Sequence, residues 1–123
     1  MKKILIVDDS LFMRSVLKDV LSSKVGKYNI VEATSSTSAL KLFRKENPDL
    51  ILLDIIMPES EEAGLEVLRG VMEAKPEAKI VMISAVGQEL VMEECKKLGA
   101  KDYITKPFDE MHVIKTVEKY LSE

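Results

Sequence analysis

Cysteine, histidine and tryptophan are nearly missing from this sequence, with one Cys, one His and no Trp in 123 residues. With Cys95 as the only thiol, no internal disulfide can close, so the chain is not a stapled secreted scaffold and suits a reducing cytoplasm. Long apolar runs are missing as well. The opening "MKKILIV" breaks at Asp8, short of the roughly 7 to 15 apolar residues of a secretion signal, and no run approaches the roughly 18 of a membrane span. Lys and Arg never cluster and the net charge is -3, which leaves no electrostatic reason to bind nucleic acid or an anionic membrane. The expected partners are proteins or small molecules. Phosphate cradles of the GxxxxGK[ST] or GxGxxG type are also missing, so the chain has no visible means of drawing on ATP directly.

What is present is a 46% hydrophobic composition, enough for one core in a chain too short for two ordinary domains. One domain spanning residues 1–123 is expected. Five short aliphatic and β-branched runs recur: "ILIV" at 4–7, "NIVEA" at 29–33, "LILL" at 50–53, "KIVMIS" at 79–84 and "DYIT" at 102–105. The first, third and fourth are apolar throughout, as strands covered on both faces must be. Segments with helical spacing separate and follow them, marked by Val16 and Val20, Ala39 and Phe43, Leu65 and Leu68, Val91 and Cys95, and Val113 and Val117. Ser35 or Ser36 can cap the second helix, Pro48 and Pro76 follow the second and third, and Gly99 sits where the fourth should end. Regular βα alternation predicts an α/β fold, a doubly wound parallel sheet with helices on both faces.

In such a sheet the carboxyl ends of all strands share one edge, and ligands bind there. The residues just past the runs are Asp8 and Asp9, Asp54, Ser84 and Lys106. Three carboxylates drawn together repel unless a cation neutralises them. An all-oxygen set without His or Cys suits a hard divalent ion such as Mg²⁺. Three acids, Lys106 and a doubly charged metal sum to zero, and a phosphoryl group then has cationic neighbours. Taken singly, each residue also has a plainer role: Asp9 or Ser10 as a helix cap, Asp54 as a turn former, Lys106 as a solvated cation. Four of five strands ending in the groups that one chemistry needs is the stronger signal.

In order and spacing, "ILIVDDS", "DLILLDIIMP", "KIVMISA" and "GAKDYITKPF" resemble the receiver domains of two-component response regulators, most closely the single-domain, CheY-like type. The resemblance covers essentially the whole chain. It implies a flavodoxin-like, five-stranded sheet in the order 2-1-3-4-5. It also implies Asp54 as the phosphoacceptor, and Mg²⁺ held by Asp8, Asp9, Asp54 and the backbone carbonyl of Ile56. Lys106 and Ser84 would contact phosphoryl oxygens, and Ser84 with Tyr103 would form the switch pair. A cis bond is implied between Lys106 and Pro107.

By the same resemblance the donor is a sensor histidine kinase, a phosphatase can act on the product, and the signal passes to a downstream protein through the face of helix 4, strand 5 and helix 5. A phosphorelay intermediate that hands phosphate to a His-containing protein is the alternative. The protein would be cytoplasmic, and a monomer or a phosphorylation-linked dimer. With no effector domain after residue 123, output by protein binding is expected. His112 is read as a surface residue.

The pattern departs from the family after Pro58, where "ESEEAG" makes the loop two residues longer and acidic, with Ala63 before Gly64 in place of the usual acid. Glu59, Glu61 and Glu62 beside Asp54 would then alter access by kinase or phosphatase. Apolar Ile56 and Val86, two positions past Asp54 and Ser84, orient water poorly, and slow loss of phosphate is expected. A haloacid-dehalogenase-type phosphohydrolase would need DxDx[TV] after its first strand, which "VDDSLF" does not supply. An FMN module would place two carboxylates against its phosphate.

Overall fold

The computed structural model describes residues 1–22, 28–55, 62–85 and 88–122. Five strands and five helices alternate along them: β1 (Lys2–Val7), α1 (Leu11–Ser22), β2 (Tyr28–Ala33), α2 (Ser36–Glu46), β3 (Leu50–Asp54), α3 (Ala63–Ala74), β4 (Ile80–Ala85), α4 (Glu89–Leu98), β5 (Asp102–Lys106) and α5 (Glu110–Leu121). The strands form one parallel sheet in the order β2-β1-β3-β4-β5, as expected.

Alternation along each strand divides the interior in two. Leu5 and Val7 of β1, Ile51 and Leu53 of β3, and Ile80 and Met82 of β4 pack with Phe43, Leu68, Val71 and Cys95 on the face covered by α2, α3 and α4. Ile4 and Ile6, Leu50 and Leu52, Val81 and Ile83, and Ile104 pack with Leu17, Leu21, Val113 and Val117 on the face covered by α1 and α5. Burial on both faces is why the central runs carry no polar residue until they end. Each fully buried Leu or Ile contributes about 1.5–3 kcal/mol relative to exposure.

Local chemistry sets the element ends. Ser35, not Ser36, caps α2: its hydroxyl accepts from Ser38 N–H at 3.1 Å while Ser38 Oγ accepts from Ser35 N–H. Asn47 closes that helix in the left-handed region at φ 46°, and Pro48 follows. Gly99 closes α4 at φ 120°, a conformation that a side chain would resist. Cys95 is fully buried against the core, as a small apolar residue would be.

Candidate functional site

The sheet turns its winding direction between β1 and β3, and the crevice at their carboxyl ends is the place where such folds bind ligands. Register brings the first two acids together there. Val7 pairs with Leu53, so Asp8 and Asp54, each one residue further on, stand side by side on adjacent strands. Phase explains Lys106. Asp8 continues the series Ile4 and Ile6, Asp54 continues Leu50 and Leu52, and Lys106 continues Ile104, so all three belong to the α1/α5 face. Its ammonium lies 3.5 Å from Asp54 Oδ1 and 3.8 Å from Asp8 Oδ2.

Asp8 and Asp54 are buried, Asp9 is exposed, and a carboxylate oxygen from each lies within 4.8 Å of the others. Asp8 is held firmly. One carboxylate oxygen accepts from Ser10 N–H at 2.9 Å, a local turn in which Ser10 Oγ then caps α1 through Met13 N–H at 3.2 Å. Its backbone N–H donates to Ala33 O, and its carbonyl accepts from Arg14 Nη1 at 2.8 Å. The other carboxylate oxygen, Oδ2, is buried with no hydrogen-bond partner. A buried carboxylate oxygen without a partner costs about 1–3 kcal/mol or more. A buried oxygen that accepts no hydrogen bond and lies close to two further carboxylates fits a hard cation ligated by oxygen alone. The acidic cluster can therefore hold a metal ion.

Ser84 is buried near the end of β4 and pairs in register with Thr105 of β5. The Lys106–Pro107 bond is cis. Tyr103 is 37% exposed, with Lys96 Nζ 4.8 Å from its ring centroid. His112 is exposed, as read from the sequence. Ile56, Val86 and the acidic residues Glu59 and Glu61 lie outside the described residues. Within the described part of the long loop, Glu62 starts α3 without a side-chain cap, and Ala63 and Gly64 are buried.

Two residues near the site have no role there that the sequence assigns. Arg14 joins the Asp8 carbonyl to Glu32 of β2, donating Nε to Glu32 Oε1 at 2.8 Å. Gln88, which precedes α4, accepts the Ala85 N–H on its side-chain oxygen at 2.6 Å. A charged residue inside the strand run "NIVEA" was the available signal for the first. Nothing local marked the second.

Beside Lys106 lies an apolar recess lined by Phe12, Met13, Val16, Pro107 and Phe108. Leu11 and Phe12 at the start of α1 are 66% and 73% exposed. A second groove runs along Lys96, Asp102, Tyr103, Phe108 and His112, between α4, β5 and α5.

Comparison with known proteins agrees with this geometry. Residues 4–118 match the response regulator receiver domain family. The chain is 40% identical over 118 residues to the chemotaxis protein CheY of Thermotoga maritima, covering 96% of each. It is 34% identical over 120 residues to sporulation initiation phosphotransferase F of Bacillus subtilis, covering 98% of this chain and 94% of that one. Among solved structures, the receiver domain of NtrX from Brucella abortus superposes with a TM-score of 0.90 at 32% identity, over 97% of this chain and 98% of that one. With Lys106 reaching Asp8 and Asp54 at the switch point and relatives matched over almost their whole length, the chain belongs to the response regulator receiver domain family.

Proposed function

We propose that this receiver domain, acting as one unit over residues 1–123, is a phosphorylation-dependent switch with Asp54 as its phosphoacceptor. The observation that carries the reading is the convergence of Asp8, Asp9 and Asp54 with Lys106 at one sheet edge. A carboxylate oxygen of Asp54 attacks phosphorus, an acyl phosphate O–P bond forms, and the donor's bond to phosphorus breaks with its electron pair leaving on the donor. A phosphohistidine on a sensor kinase, or acetyl phosphate in vitro, is the donor. Phosphoryl transfer needs positioning and neutralisation of charge more than covalent chemistry. Lys106 supplies a fixed positive charge beside Asp54 from the start. Ser84 donates its hydroxyl to a phosphoryl oxygen. Asp8, Asp9, Asp54 and the Ile56 carbonyl would hold Mg²⁺, which when bound supplies charge neutralisation for the transferring oxygens.

The exposed apolar surface of Leu11, Phe12 and the adjoining recess supports docking of the kinase beside the acceptor. Ser84 and Tyr103 couple the site to output. The Tyr103 ring lies outside against Lys96, and inward rotation behind a moved Ser84 hydroxyl would reshape the α4, β5 and α5 groove for a downstream protein. A phosphatase would act on the same exposed edge. No described helix is long and apolar enough to cross a membrane, and the family reading favours a cytoplasmic protein.

Likeness to a sporulation phosphotransferase supports a second reading, a relay intermediate that passes its phosphoryl group to a histidine. The test is intact mass after incubation with acetyl phosphate, with and without Mg²⁺, beside Asp54→Asn. A Mg²⁺-dependent gain of one phosphoryl group, absent in the variant, is expected; no gain under any condition overturns the reading. Mixing the phosphorylated protein with a His-containing transfer domain then separates relay from terminal switch.

A further inference from the structure

The peptide unit between Asp8 and Asp9 carries the side chains of two of the three acids, and its orientation is set from outside the acid cluster. The Asp8 carbonyl accepts from Arg14 Nη1 at 2.8 Å, and Arg14 is in turn tied through Nε to Glu32 Oε1 at 2.8 Å. The other oxygen of Glu32 accepts from Lys18 Nζ at 3.0 Å, so the carboxylate is gripped on both sides. Glu32 stands on β2 in register with Ile6, two residues before Asp8. The Arg14 side chain is only 11% accessible. A guanidinium holds two partners in one rigid plane, whereas an ammonium is a single point of charge.

We propose that Arg14, anchored by Glu32, is a positioning residue for divalent-cation binding. By fixing the plane of the Asp8–Asp9 peptide it sets the direction in which both carboxylates leave the backbone. Asp8 Oδ1 is already committed to Ser10 N–H, which leaves Oδ2 aimed toward Asp54 and Lys106. Without Arg14 the carbonyl loses its partner, the peptide can tilt, and the preset spacing of the three acids is lost. The proposal rests on the reading of the acids as a Mg²⁺ site.

Electrostatics alone makes the opposite prediction, which makes the proposal testable by sign. Arg14 is a cation near a site for cations, so removing its charge should tighten Mg²⁺ binding if charge were its only contribution. Loss of a partner that orients a ligand residue typically weakens metal affinity by about 10 to 100-fold. Arg14→Met, which keeps the apolar stem, is expected to bind Mg²⁺ about 10-fold or more weakly. Arg14→Lys, which keeps the charge but not the fork, is expected to weaken it as well.

Mg²⁺ titrations at constant ionic strength, followed by the amide chemical shifts of Asp9 and Ile55, read the affinity directly. Thermal melts establish that each variant is folded. Affinity in Arg14→Met equal to or tighter than in the natural protein overturns the proposal. Should that variant not fold, Arg14→Lys decides alone, since unchanged affinity there reduces Arg14 to a charge. No saturable shift in the natural protein would instead remove the Mg²⁺ reading, and the clamp with it.

Discussion

Lys106 Nζ lies 3.5 Å from Asp54 Oδ1 although their strands, β5 and β3, never pair: β4 runs between them. The lysine reaches its carboxylate over the end of the intervening strand, where a transferred group would sit. Lys106→Met should leave the fold intact and slow phosphoryl gain from acetyl phosphate by about 100-fold at saturating Mg²⁺, the scale of losing one oriented charge-stabilising donor. Quenched intact-mass time courses would read this. A rate within a few-fold of the natural protein would remove Lys106 from the transfer step.

Asp8 Oδ2 is buried, accepts no hydrogen bond and meets the Lys106 ammonium only at 3.8 Å, so the site trades stability for readiness. In Asp8→Asn a side-chain N–H can donate to Asp54 and one like charge disappears. Without metal, the variant should melt about 4 °C higher, corresponding to about 1 kcal/mol. On the proposed Mg²⁺ reading, added Mg²⁺ should raise the melting temperature of the natural protein and leave that of the variant unchanged. A lower melting temperature would show that Asp8 is satisfied as it stands.

Gly64 fixes how close α3 comes to the end of β3. A Cβ there would collide with the Ile55 carbonyl oxygen and lie 2.9 Å from that of Asp54, both rigid backbone atoms. Gly64→Ala should therefore cost about 1–3 kcal/mol in urea unfolding and slow phosphorylation by displacing Asp54. Gly70, whose added Cβ would meet only the side-chain end of Leu40, serves as the milder comparison.

Glu32 carries a pH signature. The hydrogen bond from Lys18 chiefly, with that from Arg14, holds its carboxyl below the usual carboxylate range. A depressed value in the folded state means the contribution is full above the unfolded carboxylate pKa. It is then lost as pH falls through the folded value. The side chain is half-buried, 30% accessible, and the pairs are screened by solvent, so the amount is about 0.2–1 kcal/mol. Glu32→Gln should lower stability by that amount at pH 7, with the difference closing as denaturant melts are repeated below pH 4.5. A difference that persists unchanged in strong acid would point to packing in place of charge.

Burial, with Glu94 adding to it, pushes the Cys95 thiol up to about 11. The thiolate is the nucleophile, so at pH 8 iodoacetamide should leave Cys95 unmodified in the folded protein and label it fully in guanidinium. Because the unfolded thiol ionises first, stability should also decline as pH rises from 9.0 toward about 11. Rapid labelling of the native protein at pH 8 would contradict the burial that places Cys95 in the core.

The sequence by itself determined what depends on neighbours along the chain. Short aliphatic and β-branched runs and helical spacing marked every strand and helix, and Ser35, Asn47 with Pro48, and Gly99 end or start helices through groups at most a few residues away. Asp8, Asp54 and Lys106 each follow their run directly, so their place at one sheet edge could be counted off, while their common face came from the register of the strands. Strand order could not, and came from family likeness alone, because which strands pair is settled by packing between residues distant in sequence. For the same reason only the tertiary structure decided that Asp8 stands beside Asp54, that Lys106 reaches over β4, and that Arg14 meets Glu32 across 18 residues of chain. Periodicity names the face on which a side chain lies; distance to a partner depends on register and on the close packing of two helical layers, which no local pattern encodes.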